Sequence, residues 1–405
     1  MSLRHHWSPI LVGLALALIP PAPAAEPLKV FILAGQSNME GHAQVSTFDY
    51  IGEDPATAPL LKEMKGEDGK PRECERVWIS YLTGDGVVKQ GRLTAGYGAL
   101  GGEAKIGPEF TFGLTMEKSI KGPVLILKTA WGGKSLHTDF RSPSAGPYEL
   151  SRFQLENYPK QEGHGIPKDF AKWKADKVHE TGHYYRLMIE HVRKVLENPQ
   201  SVVPEYDAAA GYELAGFVWL QGWNDMCDSH TYPEGHQAGG YDLYATLLGH
   251  FIRDVRKDLK APGMPFVIGV MGVGGILDAP HPFREAMAAP AALPEFRGNV
   301  EAVQTAPFWD SRLGKIDENR GKISQMEWMI RVKDKNGPNA DGKMTEEQQA
   351  AYLKDYRAGL ISPEDEALWQ RGASNAGYHY LGCAKTFALM GRAFAEANLR
   401  LAAGQ

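Results

Sequence analysis

One serine, one histidine and a few amide groups in this sequence have the chemistry for acyl transfer. Ser37 stands in residues 30–43, VFILAGQSNMEGHA, where an apolar run meets Gly35-Gln36-Ser37-Asn38. A serine at a strand end can act as a nucleophile if a base lies within hydrogen-bond reach and donors face the developing oxyanion. His379, in NAGYHYLG ahead of a last amphipathic stretch, is the candidate base. Asn224, in Gln221-Gly222-Trp223-Asn224-Asp225, offers a side-chain amide, and Gly107, just before Pro108, a backbone N–H. Each also has a structural use: Ser37 as a helix N-cap, Asn224 in an Asx turn, Gly107 in a turn, His379 on a surface.

A second chemistry competes. His179-Glu180-Thr181-Gly182-His183 reads H-E-x-x-H, which on one helix would offer two zinc ligands and a glutamate base. The extended pattern asks for a glycine and a further histidine, where this chain has Arg186 and Ile189, and Gly182 weakens a helix interior. No metal is therefore expected, and a zinc metalloprotease built on His179 and His183 stays the enzyme alternative. The turns around Asp334 and Asp341 mimic a calcium loop, but Gln348 stands where a bidentate glutamate belongs. Trp131 and Trp223 follow strand-like runs and could stack on sugar rings.

The elements that must position these groups follow from hydropathy. Apolar runs at 28–34, 77–82, 124–129, 216–220, 266–271 and 300–305 read as buried strands, with helical patterns at 109–119, 184–196, 241–259 and 381–401. Continuous apolar strands alternating with helices predict an α/β fold, a mostly parallel doubly wound sheet covered on both faces. The polar, glycine-rich segments after the strands then share one edge, the crevice of such a sheet. Segments 139–177 and 311–373 read as insertions without enough apolar residues for cores of their own.

At 405 residues, 43% hydrophobic and 23% charged, the composition is that of an ordinary globular protein. A net charge of -5 with no basic block disfavours nucleic acid or an anionic membrane as partner. Arg4, an apolar run from Ile10 to Ile19 and the small residues Ala22-Pro23-Ala24 predict a signal peptide over 1–25, and hence a secreted or periplasmic protein of residues 26–405 with no membrane partner after cleavage. Cys74, Cys227 and Cys383 allow one disulfide at most and fit no metal knuckle.

The order of the motifs resembles the SGNH/GDSL hydrolase superfamily, in the branch of sialate O-acetylesterases and carbohydrate esterase family 6. Gly35-Gln36-Ser37-Asn38-Met39 matches its GQSNM block, Gln221-Gly222-Trp223-Asn224-Asp225 its Gln-Gly-x-x-Asp block, and Ile106–Gly113 and KTAWGGKSL are similar to further segments. The resemblance implies a flavodoxin-like three-layer α/β/α fold and ester hydrolysis without a cofactor, on an O-acetylated carbohydrate of the sialate or acetylxylan kind. It implies Ser37 as nucleophile, His379 as base, and an oxyanion site from Ser37 and Gly107 N–H groups with Asn224, aided by Gln221. The superfamily's aspartate three residues before the histidine is Ala376 here. The acid is then expected from another strand end, Asp310 first and Asp225 second, or is absent. Without it, a carbohydrate-binding protein that has lost turnover is the non-enzyme alternative.

Overall fold

Eight consecutive residues, Leu28–Gly35, form strand β1, and their side chains alternate between two cores. Val30, Ile32 and Ala34 enter one, Phe31 and Leu33 the other. A strand buried on both faces has no polar alternation, which is why its sequence is continuously apolar. The computed structural model of the chain describes residues 2, 26–160, 163 and 165–404. The predicted signal peptide, residue 2 apart, lies outside the described residues.

The other strands of the main sheet are β2 (Val77–Leu82), β3 (Val88–Arg92), β4 (Val124–Ala130), β5 (Tyr212–Leu220), β6 (Phe266–Val270) and β7 (Val300–Gln304). Their spatial order is β3-β2-β4-β1-β5-β6-β7, and every pairing is parallel except the β2–β3 hairpin. Without that hairpin the order is the flavodoxin-like 2-1-3-4-5, whose crevice opens where β1 lies between strands that leave in opposite directions.

Six helices matter for the site: α1 (Ser37–Glu40), α2 (Glu109–Ser119), α3 (His183–Glu197), α4 (Asp242–Asp258), α5 (Ser311–Val332) and α6 (Ala384–Ala403). Helices α3 and α4 cover one face of the sheet, α2 and α6 the other, giving three layers. Among the described residues no helix is long and apolar enough to cross a membrane.

Segment 311–373 is helical: α5 is followed by Glu346–Ala358 and Pro363–Gly372. It builds a third small core in which Leu313, Ile316 and Leu368 meet Tyr50, Leu381 and Cys383. Segment 311–373 is thus packed against the segment that carries His379. Gln348, the residue at the false calcium-loop position, completes a capping box with Thr345.

Two expectations shift. Strand β3 went unpredicted because its sequence, VKQGR, is polar and its first three residues are exposed. The last helix starts at Ala384 rather than 381, since Tyr380, Leu381 and Gly382 are left-handed, at φ 50°, 62° and 56°.

Candidate active site

The turn after β1 is pinned by two backbone approaches that exclude side chains. A Cβ on Gly35 would lie 2.1 Å from the Leu220 carbonyl oxygen, and one on Gly41 would lie 2.0 Å from Gly107 Cα. Between them, one helical turn places Ser37 at its first position, with an N–H that has no acceptor in the described chain. First-turn N–H groups are unpaired by construction and favour a negative ligand.

Gln36 ties this turn to the turn after β5. Its Oε1 accepts from Gly222 N–H at 3.0 Å, Gln221 Nε2 at 3.2 Å and Asn224 N–H at 3.4 Å, while its Nε2 donates to Asn224 Oδ1 at 2.9 Å. Asn224 Nδ2 donates to the Gly133 carbonyl at 3.1 Å and keeps a second N–H for a ligand. Ser37, Asn224, His379, Glu40 and His42 line one cleft of about 320 Å³, together with Gln36, Gly132, Gly133, Trp223 and Tyr378.

His379 reaches this cleft on a tightly wound loop. Ser374 and Asn375 N–H both donate to the Leu381 carbonyl, and Ser374 Oγ donates to Gly382 O at 2.7 Å. Two left-handed non-glycine residues cost of order 1–3 kcal/mol each. They persist because Tyr380 is fully buried, its hydroxyl accepting from Gly272 N–H at 2.8 Å and bonding Thr305 Oγ1 at 2.7 Å. The loop is tied to the Ser37 turn by Asn38 Nδ2, which donates to the Tyr378 carbonyl at 3.1 Å.

The partner of His379 is Asn375, whose Oδ1 lies 2.9 Å from Nδ1. That atom must be the oxygen, because Ala376 N–H also donates to it at 2.8 Å. Nδ1 therefore carries the hydrogen and Nε2 the lone pair, the tautomer a general base needs. His42 stacks on His379, ring centroids 3.8 Å apart and planes 2° from parallel, and its Nδ1 lies 3.4 Å from Asn375 Nδ2. Burial holds the His379 pKa down at about 4. Burial, and then the nearby charges of His379, Lys105 and Lys128, hold that of His42 at about 3.

Asp310, the expected acid, is engaged elsewhere. Its Oδ1 caps α5 by accepting from Leu313 N–H at 3.0 Å, and its Oδ2 meets Tyr50 OH at 2.7 Å and Lys385 Nζ at 2.8 Å. Burial works to raise its pKa, but Lys385, the Leu313 N–H and Tyr50 bring it below the usual carboxylate value. Asp225 makes no bond to His379 either. It is buried and accepts from Leu136 N–H, His137 N–H, Gln221 Nε2 and Tyr232 OH, and burial pushes it up to about 6 against those donors.

Two oxyanion expectations also change. The Gly107 N–H donates to Glu109 Oε1 at 2.9 Å, so it is not free for a substrate. Gln221 is buried with its amide between Gln36, Lys134 O, Asp225 and Tyr244, and it braces Asn224's turn rather than lining the cleft. Trp131 is a core residue packed on Phe140 and Tyr184, whereas Trp223 is at the cleft wall. All three cysteines are free thiols, Cys227 exposed and the others buried. His179 and His183 fall on different helices: Phe170–Glu180 ends at Thr181, and Gly182, at φ 71°, separates it from α3. The two side chains therefore lack the one-turn spacing a zinc helix provides.

Beneath the Ser37 turn lies a charge pair that the sequence reading passed over. Lys128, on β4, is fully buried and donates to Glu109 Oε2 at 2.8 Å and to the Glu40 and Tyr97 carbonyls at 2.7 Å each. Burial raises Glu109 and lowers Lys128, and their mutual attraction opposes both shifts. Three acceptors match three ammonium hydrogens, so the pair stays charged. Among the described residues Glu40 is the only carboxylate lining the cleft. Burial raises its pKa, opposed by Lys128, Tyr81 OH and the Gly132 N–H.

The family model of the SASA carbohydrate esterases, sialic acid-specific acetylesterases, matches residues 27–306. No curated protein matches the chain in sequence. Among solved structures, a protein from Arabidopsis thaliana is 18% identical over 69% of this chain and 86% of its own, with a TM-score of 0.37. A carbohydrate acetylesterase from Xanthomonas citri is 13% identical over 68% of this chain, also at a TM-score of 0.37, and the match spans 49% of that protein. The Ser37 and Asn224 turns both fall inside the matched range, and the chain belongs to the SASA family of carbohydrate esterases, as a carboxylic ester hydrolase.

Proposed function

We propose that this protein removes O-acetyl groups from carbohydrate through an acetyl-enzyme on Ser37. The observation that carries the reading is the cleft itself, where Ser37, the free Asn224 N–H and the neutral His379 ring share one wall at the sheet's crevice. Ser37 Oγ attacks the acetyl carbonyl and its proton passes to His379 Nε2, the hydrogen bond between them closing as substrate enters. The oxyanion takes the Ser37 N–H and the Asn224 amide. Collapse releases the sugar hydroxyl, which recovers the proton from His379. Water then attacks the acetyl-serine by the same route in reverse, giving acetate and free Ser37.

Release of 4-nitrophenol from 4-nitrophenyl acetate should stop after treatment with a serine-directed organophosphate, with the adduct on the peptide containing Ser37. EDTA dialysis should leave the rate unchanged. An adduct elsewhere, or activity lost with zinc, would overturn the reading.

The pH profile follows from His379. A base works while neutral, so kcat/KM should rise through pH about 4 and stay level to neutrality. Asn375→Asp places a carboxylate on Nδ1, favours the imidazolium and should move that rise upward by about 1–3 pH units. An unmoved limb would show that another group titrates. Export rests on the leader at 1–25: mass spectrometry of the protein recovered from periplasm or medium should find the chain starting near residue 26. An intact Met1 in that fraction would remove the leader.

A further inference from the structure

Beside the ester cleft lies a larger cavity of about 890 Å³, within the range of ligand sites. Trp223 and Tyr378 line both spaces, their rings 5.9 Å apart, so the two adjoin at this aromatic pair. The near wall is the Val273–Ile276 turn after β6. The far wall is Trp309, Gly314, Lys315, Asp317 and Glu318, on or just before α5. That wall lies wholly after residue 306, where the family match ends. It belongs largely to segment 311–373, which this chain packs against its histidine loop.

We infer that this groove holds the sugar chain bearing the acetyl group, and that it selects a neutral oligosaccharide over an anionic sugar. The inference rests on the ester hydrolysis proposed above and names its substrate class. Three features support it. Two lining glycines seat the wall side chains closely: a Cβ on Gly314 would lie 2.5 Å from Trp309 Nε1, and one on Gly377 would lie 2.7 Å from Asp317 Oδ2. Flat aromatic faces at Trp223 and at Tyr378, which is 46% exposed, suit the apolar faces of sugar rings. Asp317 makes no hydrogen bond or ion pair within the described residues, so its carboxylate is free to accept from sugar hydroxyls.

Charge sets the preference. Lys315 is paired with Glu318 at 2.8 Å, which leaves Asp317 in the groove with no ion pair, only the more distant charge of Arg320 opposing it, and Glu40 as the carboxylate of the cleft. No arginine lines either space. A sugar carboxylate would meet like charge and no guanidinium fork, the usual partner for that group.

The test compares wild type with Asp317→Ala and Ser311→Trp, the second filling the groove from an exposed position at the start of α5. Three probes are used: 4-nitrophenyl acetate, partially acetylated xylo-oligosaccharide, and O-acetylated N-acetylneuraminic acid. Wild type should favour the neutral oligosaccharide over the anionic sugar. Each variant should lower the ratio of oligosaccharide to nitrophenyl acetate kcat/KM by about tenfold, the scale of one charge-assisted hydrogen bond. An unchanged ratio in both variants, or a wild-type preference for the anionic sugar, overturns the groove assignment while ester hydrolysis stands. No acetate from any probe overturns the hydrolysis itself, and the groove with it.

Discussion

Ser37→Ala should lower acetate release by about four orders of magnitude or more, because without the nucleophile only binding and oxyanion stabilisation remain. The fold should be unaffected. Ser37 Oγ makes no hydrogen bond to the described chain, and the turn is fixed by Gly35, Gly41 and the Gln36 amide instead. Circular dichroism and the melting temperature check the second statement, steady-state acetate release the first. A folded variant that turns over at a near-normal rate would exclude the acetyl-enzyme on this serine.

Lys128→Met should destabilise the protein by about 3–5 kcal/mol, the scale of stranding one partner of a buried ion pair. Glu109 would have to be buried with no counter-ion or take up a proton, and the Glu40 and Tyr97 carbonyls would each lose their donor. The Ser37 turn ends at Glu40, so activity at temperatures below the melt should fall as well. The double variant Lys128→Met/Glu109→Leu removes both charges and should recover part of the stability, as hydrophobic replacements of buried pairs do. Denaturant unfolding measures both. A single variant as stable as wild type would mean that water solvates the pair.

Much of the fold was legible because a parallel sheet buried on both faces writes itself as uninterrupted apolar runs. Residues 28–34 and 124–129 fell within one residue of the observed strands for that reason. Ser37 and Asn224 were legible because each follows the end of a buried strand, and the cleft they line also takes in His379, which comes from the loop before the last helix. Asp310 misled because a carboxylate just past a strand looks the same whether it serves a histidine or caps the next helix. The neighbour that decides, Leu313, is three residues on and reads as ordinary core. Asn375 carries no charge to mark it as a partner for a histidine. The sequence does not show the left-handed run at 380–382 that folds the loop back onto Asn375 and Ser374. Lys128 did leave a signal, a lysine in the midst of VLILKTA, which a buried strand tolerates only with partners. Those partners come from three other segments, and nothing local identifies them.

The hydrogen bond from Asn38 to the Tyr378 carbonyl spans 340 positions of sequence. A nascent chain that has emerged through residue 350 already holds the serine, its turn and all seven strands of the sheet, yet lacks His379, the proposed base. Ester cleavage would therefore begin only when the last tenth of the polypeptide has docked, and catalysis becomes a stopwatch for the final folding step. Refolding followed with a chromogenic acetate should show the signal trailing the recovery of tryptophan fluorescence, by the time α6 and its preceding loop take to find the sheet.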